Sequence, residues 1–194
     1  MANNNAPFGC NIIGNGGGVG PNFEMREFKV ASNDSTAIGN GDPVKMLDTG
    51  YVARFTAGTA ASQFMGIMQS CKYYSVSQGK NVFMPYWPGS DASGDVTVYC
   101  TPVQLAMPVQ FLIQSSGTAI TRADVGLNGD FSMGSVTNGR SGATINQATL
   151  AVTATFPMRI IDVYSAPSGA PGADAASSYN WVVCTANVFQ NTGL

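Results

Sequence analysis

The sequence contains no histidine and few charged residues, with 9 lysines and arginines and 11 aspartates and glutamates among 194 residues. Charged residues make up 10% of the chain, against about 25% in an average globular protein. Histidine is the most frequent general base and a common metal ligand, so its absence removes the usual means of proton transfer near neutral pH. We therefore expect a structural or binding protein rather than an enzyme, with no catalytic residue, metal ion or cofactor.

The scarcity of charge also bears on which partners the chain can bind. Lysine and arginine are scattered singly between Arg26 and Arg159, so no basic stripe can neutralise phosphates and we expect no nucleic-acid partner. No apolar run approaches the ~20 residues of a membrane-spanning helix, and the first residues lack the basic and apolar regions of a signal peptide. We expect no membrane association and synthesis in a reducing cytoplasm.

The four cysteines, at positions 10, 71, 100 and 184, are too far apart in sequence to form a CxxC pair. Without histidine they do not match the ligand pattern of a zinc site. Free cysteine is among the most buried residue types, so we expect four small core residues. A disulfide stays open as an alternative, because sequence alone cannot assign one.

Residues 1–25 differ in composition from the rest of the chain. No charge occurs before Glu24, and residues 14–20 read GNGGGVG. Glycine loses the most conformational freedom on folding, so this composition predicts an extended N-terminal arm, with a frayed terminus as the alternative. A few apolar residues interrupt the polar sequence, which is typical of segments that become ordered on a partner. The residues expected to dock are Pro7, Phe8, Cys10, Ile12 and Ile13.

From residue 26 onward, short apolar or alternating runs are separated by turn residues, which indicates an all-β fold. We expect a β-barrel, a β-tulip-like body or a sandwich over residues 26–194. A subdivision near residue 115 would give a barrel over 36–115 and a second β-layer over 116–194. The polar stretch 126–142 and the Pro/Gly/Ala/Ser-rich stretch 166–178 are expected to be loops. Strands are predicted at 26–30, 44–47, 51–55, 64–68, 81–87, 95–100, 109–114, 118–121, 143–155, 158–164 and 180–189.

One segment, Leu47-Asp48-Thr49-Gly50, matches the D-T-G of aspartic proteases. That chemistry needs two carboxylates about 3 Å apart, and no second D-T-G or D-S-G occurs in the chain. Tyr51 is also bulky where the protease motif prefers a small residue. Asp-Thr-Gly between two apolar runs is a good hairpin turn, so we interpret the segment as a turn.

Aromatic residues cluster near the predicted strand ends. Core packing explains such clusters in general, whereas rigid tyrosine and tryptophan side chains also anchor protein interfaces. With so few charges to cover its surface, a monomer would expose uncharged or apolar patches, which usually mark interfaces. We therefore expect an oligomer or a protein that coats something larger. The candidate interface aromatics are Tyr73, Tyr74, Tyr86 and Trp87.

Several segments resemble small structural proteins of tailed bacteriophages. The N-terminal ones are Met1-Ala2-Asn3, Asn5-Ala6-Pro7-Phe8-Gly9, Val30-Ala31-Ser32, Asp34-Ser35-Thr36-Ala37-Ile38 and Gly41-Asp42-Pro43-Val44. Weaker similarity continues through Gly66-Ile67, residues 83–88, Asp124-Val125-Gly126, Gly139-Arg140-Ser141-Gly142 and Met158-Arg159-Ile160-Ile161. The resemblance touches most of the chain through short motifs.

This resemblance implies a non-enzymatic capsid decoration (cement) protein on the outer surface of the virion. The expected partners are the major capsid protein and further copies of the chain itself, as a homotrimer made in the host cytoplasm. The alternative is a tail or fibre protein that recognises glycans on the host surface through its tyrosines and tryptophans. A glycan-binding assay and the position on the virion distinguish the two.

The absence of histidine generates the first prediction. No side chain with an unperturbed pKa near neutrality is present, so binding to capsids should change little between about pH 6 and 8. Sedimentation of heads mixed with the purified chain across this range measures the bound fraction. A steep loss of binding within the window would contradict the prediction.

Overall fold

The computed structural model describes residues 2–15, 24–103, 108–167 and 169–187. In these ranges the chain is all-β, with two antiparallel six-stranded sheets that pack as a sandwich. Two short 3-10 turns, Ala61–Gln63 and Arg122–Asp124, are the helical elements there. Within the same ranges, no helix has the length and apolarity that a membrane crossing requires.

The first sheet has the strand order β1-β8-β12-β11-β9-β10. Its strands are β1 (Asn11–Asn15), β8 (Val109–Gln114), β9 (Asn128–Thr137), β10 (Arg140–Ala151), β11 (Met158–Val163) and β12 (Trp181–Ala186). The second sheet has the order β2-β7-β5-β3-β4, and β6 pairs with β5. Its strands are β2 (Arg26–Val30), β3 (Pro43–Met46), β4 (Val52–Arg54), β5 (Phe64–Ser75), β6 (Lys80–Met84) and β7 (Val96–Pro102).

Two apolar cores hold the fold together. Between the sheets, Phe55, Phe64 and Phe131 pack edge to face, with ring centroids 5.1 to 5.7 Å apart, a geometry that aromatic pairs favour. The second core lies within the second sheet, which curls until β2 and β4 come into contact. Successive residues of a strand point to opposite faces, so β5 supplies Ile67 to the first core and Met68 to the second.

The expected all-β class with a sandwich body is confirmed, and several predicted strands occur at or near their predicted bounds. The hairpin assigned to Asp48-Thr49-Gly50 is also confirmed. The Leu47 amide donates to the Tyr51 carbonyl over 2.8 Å, Gly50 has a φ of 81°, and Asp48 is exposed. The turn accounts for the D-T-G sequence without any catalytic role.

The prediction of a loop over residues 126–142 is wrong. It contains all of β9 and the start of β10, joined by a tight turn in which Asn138 and Gly139 have φ values of 50° and 77°. Asn-Gly with positive φ at both positions is the preferred two-residue hairpin connection. Glycine and polar residues hid the strand pattern, although Phe131 is fully buried.

The predicted strand at 118–121 is also wrong. This segment leads into the 3-10 turn Arg122–Asp124, where Thr121 and Asp124 form a reciprocal capping box. Ile120 is nevertheless buried. Its amide donates to Oδ1 of Asn180 over 2.9 Å and its carbonyl accepts from Nδ2 over 2.6 Å, so a buried side chain replaces the missing strand partner.

The N-terminal region differs from a separate arm over residues 1–25. Asn11–Asn15 is a strand of the first sheet, antiparallel to β8, and Cys10 belongs to the core between the sheets. The division between the layers also lies earlier than residue 115, because β8 belongs to the first sheet. Two predicted features lie partly outside the described residues. They are the N-terminal arm, at residues 16–23, and the predicted strand 180–189, beyond Asn187.

A buried carboxylate, Asp42, connects the two sheets. It accepts from the Arg54 guanidinium over 2.7 and 3.1 Å, from the Gly39 amide over 2.7 Å and from the Ser141 hydroxyl over 2.5 Å. Arg54 also donates to the Gly134 carbonyl over 2.6 Å. Arg54 belongs to the second sheet, whereas Ser141 and Gly134 belong to the first. A buried charge needs such partners to offset its lost hydration.

Asp42→Ala should lower the free energy of unfolding by about 3–5 kcal/mol, because it leaves the Arg54 guanidinium without its buried counter-charge. Asp48→Ala, in the exposed hairpin turn, is the control and should change that free energy by no more than about 0.5 kcal/mol. Urea denaturation of both variants measures the difference. Equal, small losses would show that Asp42 does not hold the sheets together.

Candidate functional site

The N-terminal segment crosses the face of the first sheet that points away from the core. Gln114 and Trp181 are cross-strand partners on that face, since their neighbours Ile113 and Val182 are buried in the core. The ring of Phe8 packs edge-on against Trp181 with centroids 4.9 Å apart. Nε2 of Gln114 donates to the Asn4 carbonyl over 2.8 Å. We call residues 3–10 the N-terminal strap.

The strap is anchored at both ends. At its start, Nδ2 of Asn3 donates to the Asp174 carbonyl over 2.8 Å, within the predicted loop 166–178. Hydrogen bonds from the Ser177 hydroxyl and the Ala176 amide organise that loop and lower the pKa of the Asp174 carboxyl. At its end, the Cys10 amide donates to the Gly41 carbonyl over 2.8 Å. These bonds hold the strap against the body.

Close backbone contacts fix the second anchor. A Cβ atom on Gly9 would lie 2.4 Å from Cβ of Ser141 and 2.6 Å from the Gly41 carbonyl oxygen. One on Gly41 would lie 2.9 Å from the Phe8 carbonyl oxygen. Both glycines also have positive φ, 75° and 84°. Only glycine meets the conformational and the steric demand together.

A groove of about 720 Å³ opens beside the strap. Phe8 of the strap, Leu112 and Trp181 of the first sheet and Met25 contribute apolar surface. Sites of about 300–1,000 Å³ with apolar walls and a few convergent polar groups are typical of small-ligand binding. The groove is therefore the first candidate site.

The polar part of the lining comes from several strands. Asn11 belongs to β1, Gln69 to β5, Thr101 to β7 and Arg140 to β10. In the part of the chain that the structure describes, these four side chains have no hydrogen-bond or ion-pair partner. Gln69 is the extra residue of a β-bulge, because Met68 pairs with Cys100 and Ser70 with Tyr99. Bulges re-aim side chains and often lie beside functional sites.

The five residues predicted to dock on a partner separate into two groups. Pro7, Phe8, Cys10 and Ile12 line the groove, and Cys10 is buried. Ile13 is the extra residue of a bulge in β1 and is 41% exposed. Four of the five thus contact the chain's own body, and Pro7 and Ile13 are the ones that are exposed. Their predicted role in docking on a partner stays a prediction.

The four predicted interface aromatics have different surroundings. Tyr73 and Trp87 are buried against each other with ring centroids 5.1 Å apart, which is core packing. Tyr86 is half-buried, and its ring lies where a Cβ on Gly139 would be. Tyr74 is 45% exposed. The structure therefore brings Tyr73 and Trp87 together in the core and leaves Tyr74 on the surface.

A second candidate site surrounds Tyr74, one of the predicted interface aromatics. Phe83 is 68% exposed and Val76 63%. Phe83 pairs across the strands with Lys72, whose Nζ lies 5.3 Å from the ring centroid, within cation–π range. We call Lys72, Tyr74, Val76 and Phe83 the hairpin face. The alternation of residues 72, 74 and 76 was the signal that could have revealed it.

The hairpin face borders an open strand edge. Among the described residues, β6 pairs only with β5, so its other edge presents backbone amides and carbonyls to a partner. Unpaired edge strands are templates for pairing with another chain. The combination of exposed aromatic rings and an open edge is suited to a protein interface.

The four thiols offer no nucleophile. All are free and buried. Burial raises the pKa of Cys71 and of Cys100 to about 12, and it also raises the pKa of Cys10 and of Cys184. The thiolate is the reactive form, so these groups stay protonated near neutral pH and serve as core residues. No cluster of three or more potential metal ligands occurs among the described residues.

Comparison of the chain with family models, with curated proteins and with solved structures finds no match. The resemblance to phage structural proteins therefore stays a prediction from the sequence.

Gly9→Ala should detach the strap, whereas Gly50→Ala should not. Both glycines have positive φ, so both substitutions should cost about 1 kcal/mol in backbone conformation. Only Gly9 lacks room for a Cβ, because nothing lies within 4 Å of the Cβ position at Gly50. Urea denaturation and amide hydrogen exchange over residues 11–15 measure the effect. Equal stability and equal exchange in the two variants would contradict the close-contact argument.

Proposed function

We propose that this chain is a non-enzymatic virion protein that decorates and stabilises the head of a tailed phage by binding its major capsid protein. The scarcity of charge and the absence of histidine support a binding role. The sequence resemblance supports a location in the virion. The described structure adds one observation that carries the proposal, which is the hairpin face.

The hairpin face has the properties of an interface without its partner. Three apolar side chains on neighbouring positions, Tyr74, Val76 and Phe83, are 45%, 63% and 68% exposed. Burying such side chains in a partner removes apolar area from water, which stabilises the complex by about 25 cal/mol per Å² of buried area. Contiguous exposed apolar surface usually marks a site of protein contact. The adjacent edge of β6 can add main-chain hydrogen bonds to an exposed strand of the partner.

Stabilisation of the shell then follows from mass action. A protein that binds only the assembled shell favours that state over the opened one by RT ln(1 + [L]/Kd). Copies grouped as a homotrimer at a three-fold position would multiply this effect, since closed symmetry lets one surface serve every copy. Pro7 and Ile13 are the exposed members of the predicted docking residues, and we propose that they make a further contact with the capsid protein.

Phe83→Asp tests the proposal. The substitution puts a carboxylate at the centre of the hairpin face, and we expect binding to heads that lack the chain to weaken by about 2 kcal/mol, or roughly 30-fold. Heads of the phage that encodes the chain, prepared without it, are incubated with purified protein. Occupancy is measured by sedimentation and electron microscopy.

Val152→Asp is the matched control, because Val152 is 85% exposed and lies outside the hairpin face. It should leave occupancy unchanged. Point substitution is preferred to removal of residues 2–20, since that deletion would take Cys10 and β1 out of the body. Full occupancy by Phe83→Asp would remove the hairpin face from the contact. Failure of the unmodified chain to bind heads would overturn the function itself.

Host-surface glycan recognition stays as the second candidate. The observation that favours it is the groove beside the strap, where the side chains of Asn11, Gln69, Thr101 and Arg140 have no hydrogen-bond or ion-pair partner among the described residues.

A further inference from the structure

We propose that the groove beside the strap binds an acidic sugar, a pyranose ring that carries a carboxylate. This inference rests on the second candidate function, glycan recognition, for which it names the ligand class, and it does not depend on decoration of a capsid. The inference rests on the charge of the lining, on its unpartnered polar side chains and on its aromatic walls.

The charge of the lining selects an anion. Arg140 is the only charged residue among the described residues that line the groove. No acidic side chain among those residues faces it, although the whole chain carries a net charge of −2. The ion pairs of the described ranges join Arg26 to Glu24, Arg54 to Asp42 and Arg122 to Asp162, and Arg140 takes part in none. A guanidinium without a counter-ion is suited to bind a carboxylate through two parallel hydrogen bonds.

The backbone at Arg140 is held by hydrogen bonds of its neighbours. The Ser141 amide donates to the Asn40 carbonyl over 3.0 Å, and the Asn40 amide donates to the Gly139 carbonyl over 2.8 Å. Ser141 also bonds the buried Asp42. The backbone on both sides of Arg140 is therefore held in place before a ligand binds, which reduces the entropy lost on binding.

The remaining polar side chains match a ligand rich in hydroxyl groups. Asn11, Gln69 and Thr101 can each donate and accept hydrogen bonds, and each lacks a side-chain partner within the described ranges. The bulge in β5 aims Gln69 into the groove, and Asn40 fixes its backbone by donating from Nδ2 to the Gln69 carbonyl over 2.7 Å. An acidic sugar offers one carboxylate for Arg140 and several hydroxyls for the other three.

The floor of the groove favours a sugar over an extended acidic peptide. A peptide bound as an added strand needs an open strand edge. The strands that contribute Gln69, Thr101, Leu112 and Trp181 are each paired on both sides, so this part of the lining offers side chains and not free main-chain groups. Asn11 and Arg140 lie on β1 and β10, the two end strands of the first sheet, and competition by an acidic peptide therefore belongs to the test. Apolar surface for the C–H face of a sugar ring comes from Phe8, Leu112 and Trp181.

Calorimetric titration of the purified chain tests the inference with D-glucuronate, D-galacturonate and N-acetylneuraminate. D-Glucose, which lacks the carboxylate, and acetate, which lacks the ring, are the comparison ligands. We expect at least one acidic sugar to bind at least about tenfold more tightly than either comparison ligand. Absence of binding by all three acidic sugars, or equal binding of acetate, would overturn the inference.

Two substitutions locate the binding site. Arg140→Gln should weaken binding of the acidic sugar about tenfold or more. Arg159→Gln changes an exposed arginine outside the groove and should leave the affinity for the sugar unchanged. Equal losses in both would indicate non-specific attraction to positive charge and would overturn the assignment. If Arg140→Gln fails to fold, as shown by circular dichroism, Gln69→Ala serves in its place with the same expected loss.

These outcomes are separate from those of head binding. Phe83→Asp should retain sugar binding, because Phe83 does not line the groove, and Arg140→Gln should retain binding to heads. An acidic peptide that competes with the sugar at equal concentration would show instead that the groove recognises a protein carboxylate.

Discussion

The hydrogen bonds that Asp42 accepts from both sheets are the constraint on which the rest of the structure depends. Its carboxylate is fully buried and accepts from Arg54 of the second sheet and Ser141 of the first. A buried charge is stable only with its partners in place, so the two sheets have one relative position at this point. The apolar core between them adds most of the free energy but is less directional.

The candidate groove is a consequence of that junction. Asp42 holds the Gly39 amide and Ser141 together, and this places Gly41 where it accepts from Cys10 at the end of the strap. Arg140 precedes Ser141, so the same bond fixes the backbone of the one charged residue among the described lining residues. The end of the strap and the backbone at Arg140 are therefore positioned by one buried carboxylate, and a substitution there should disturb both.

Much of the fold could be predicted from local patterns, because strands such as β2 and β8 have alternating or apolar sequences and clear turn residues at their ends. The hairpin at Asp48 followed from turn chemistry alone. The strand β9 could not be predicted, since its glycines and polar residues conceal alternation, and β1 was hidden by a glycine-rich neighbourhood. The groove was beyond sequence reasoning because its polar residues come from four strands far apart in the chain. Only tertiary packing brings Asn11, Gln69, Thr101 and Arg140 together.

The two candidate sites lie on one strand and can act independently. Gln69 and Tyr74 both belong to β5, and they lie five positions, or about 16 Å, apart along the strand. A partner that covers Tyr74 and Phe83 contacts the end of the β5–β6 hairpin, whereas the groove is lined by the strap and by strands of both sheets. The carboxylates linked by hydrogen bonds to the chain neighbours of Arg140 and Tyr74 are already engaged within the described ranges: Asp42 accepts from Arg54 and Ser141, and Asp91 accepts from Ser75 and Ser77. A protein that covers a shell through one site therefore keeps the other available to a different ligand.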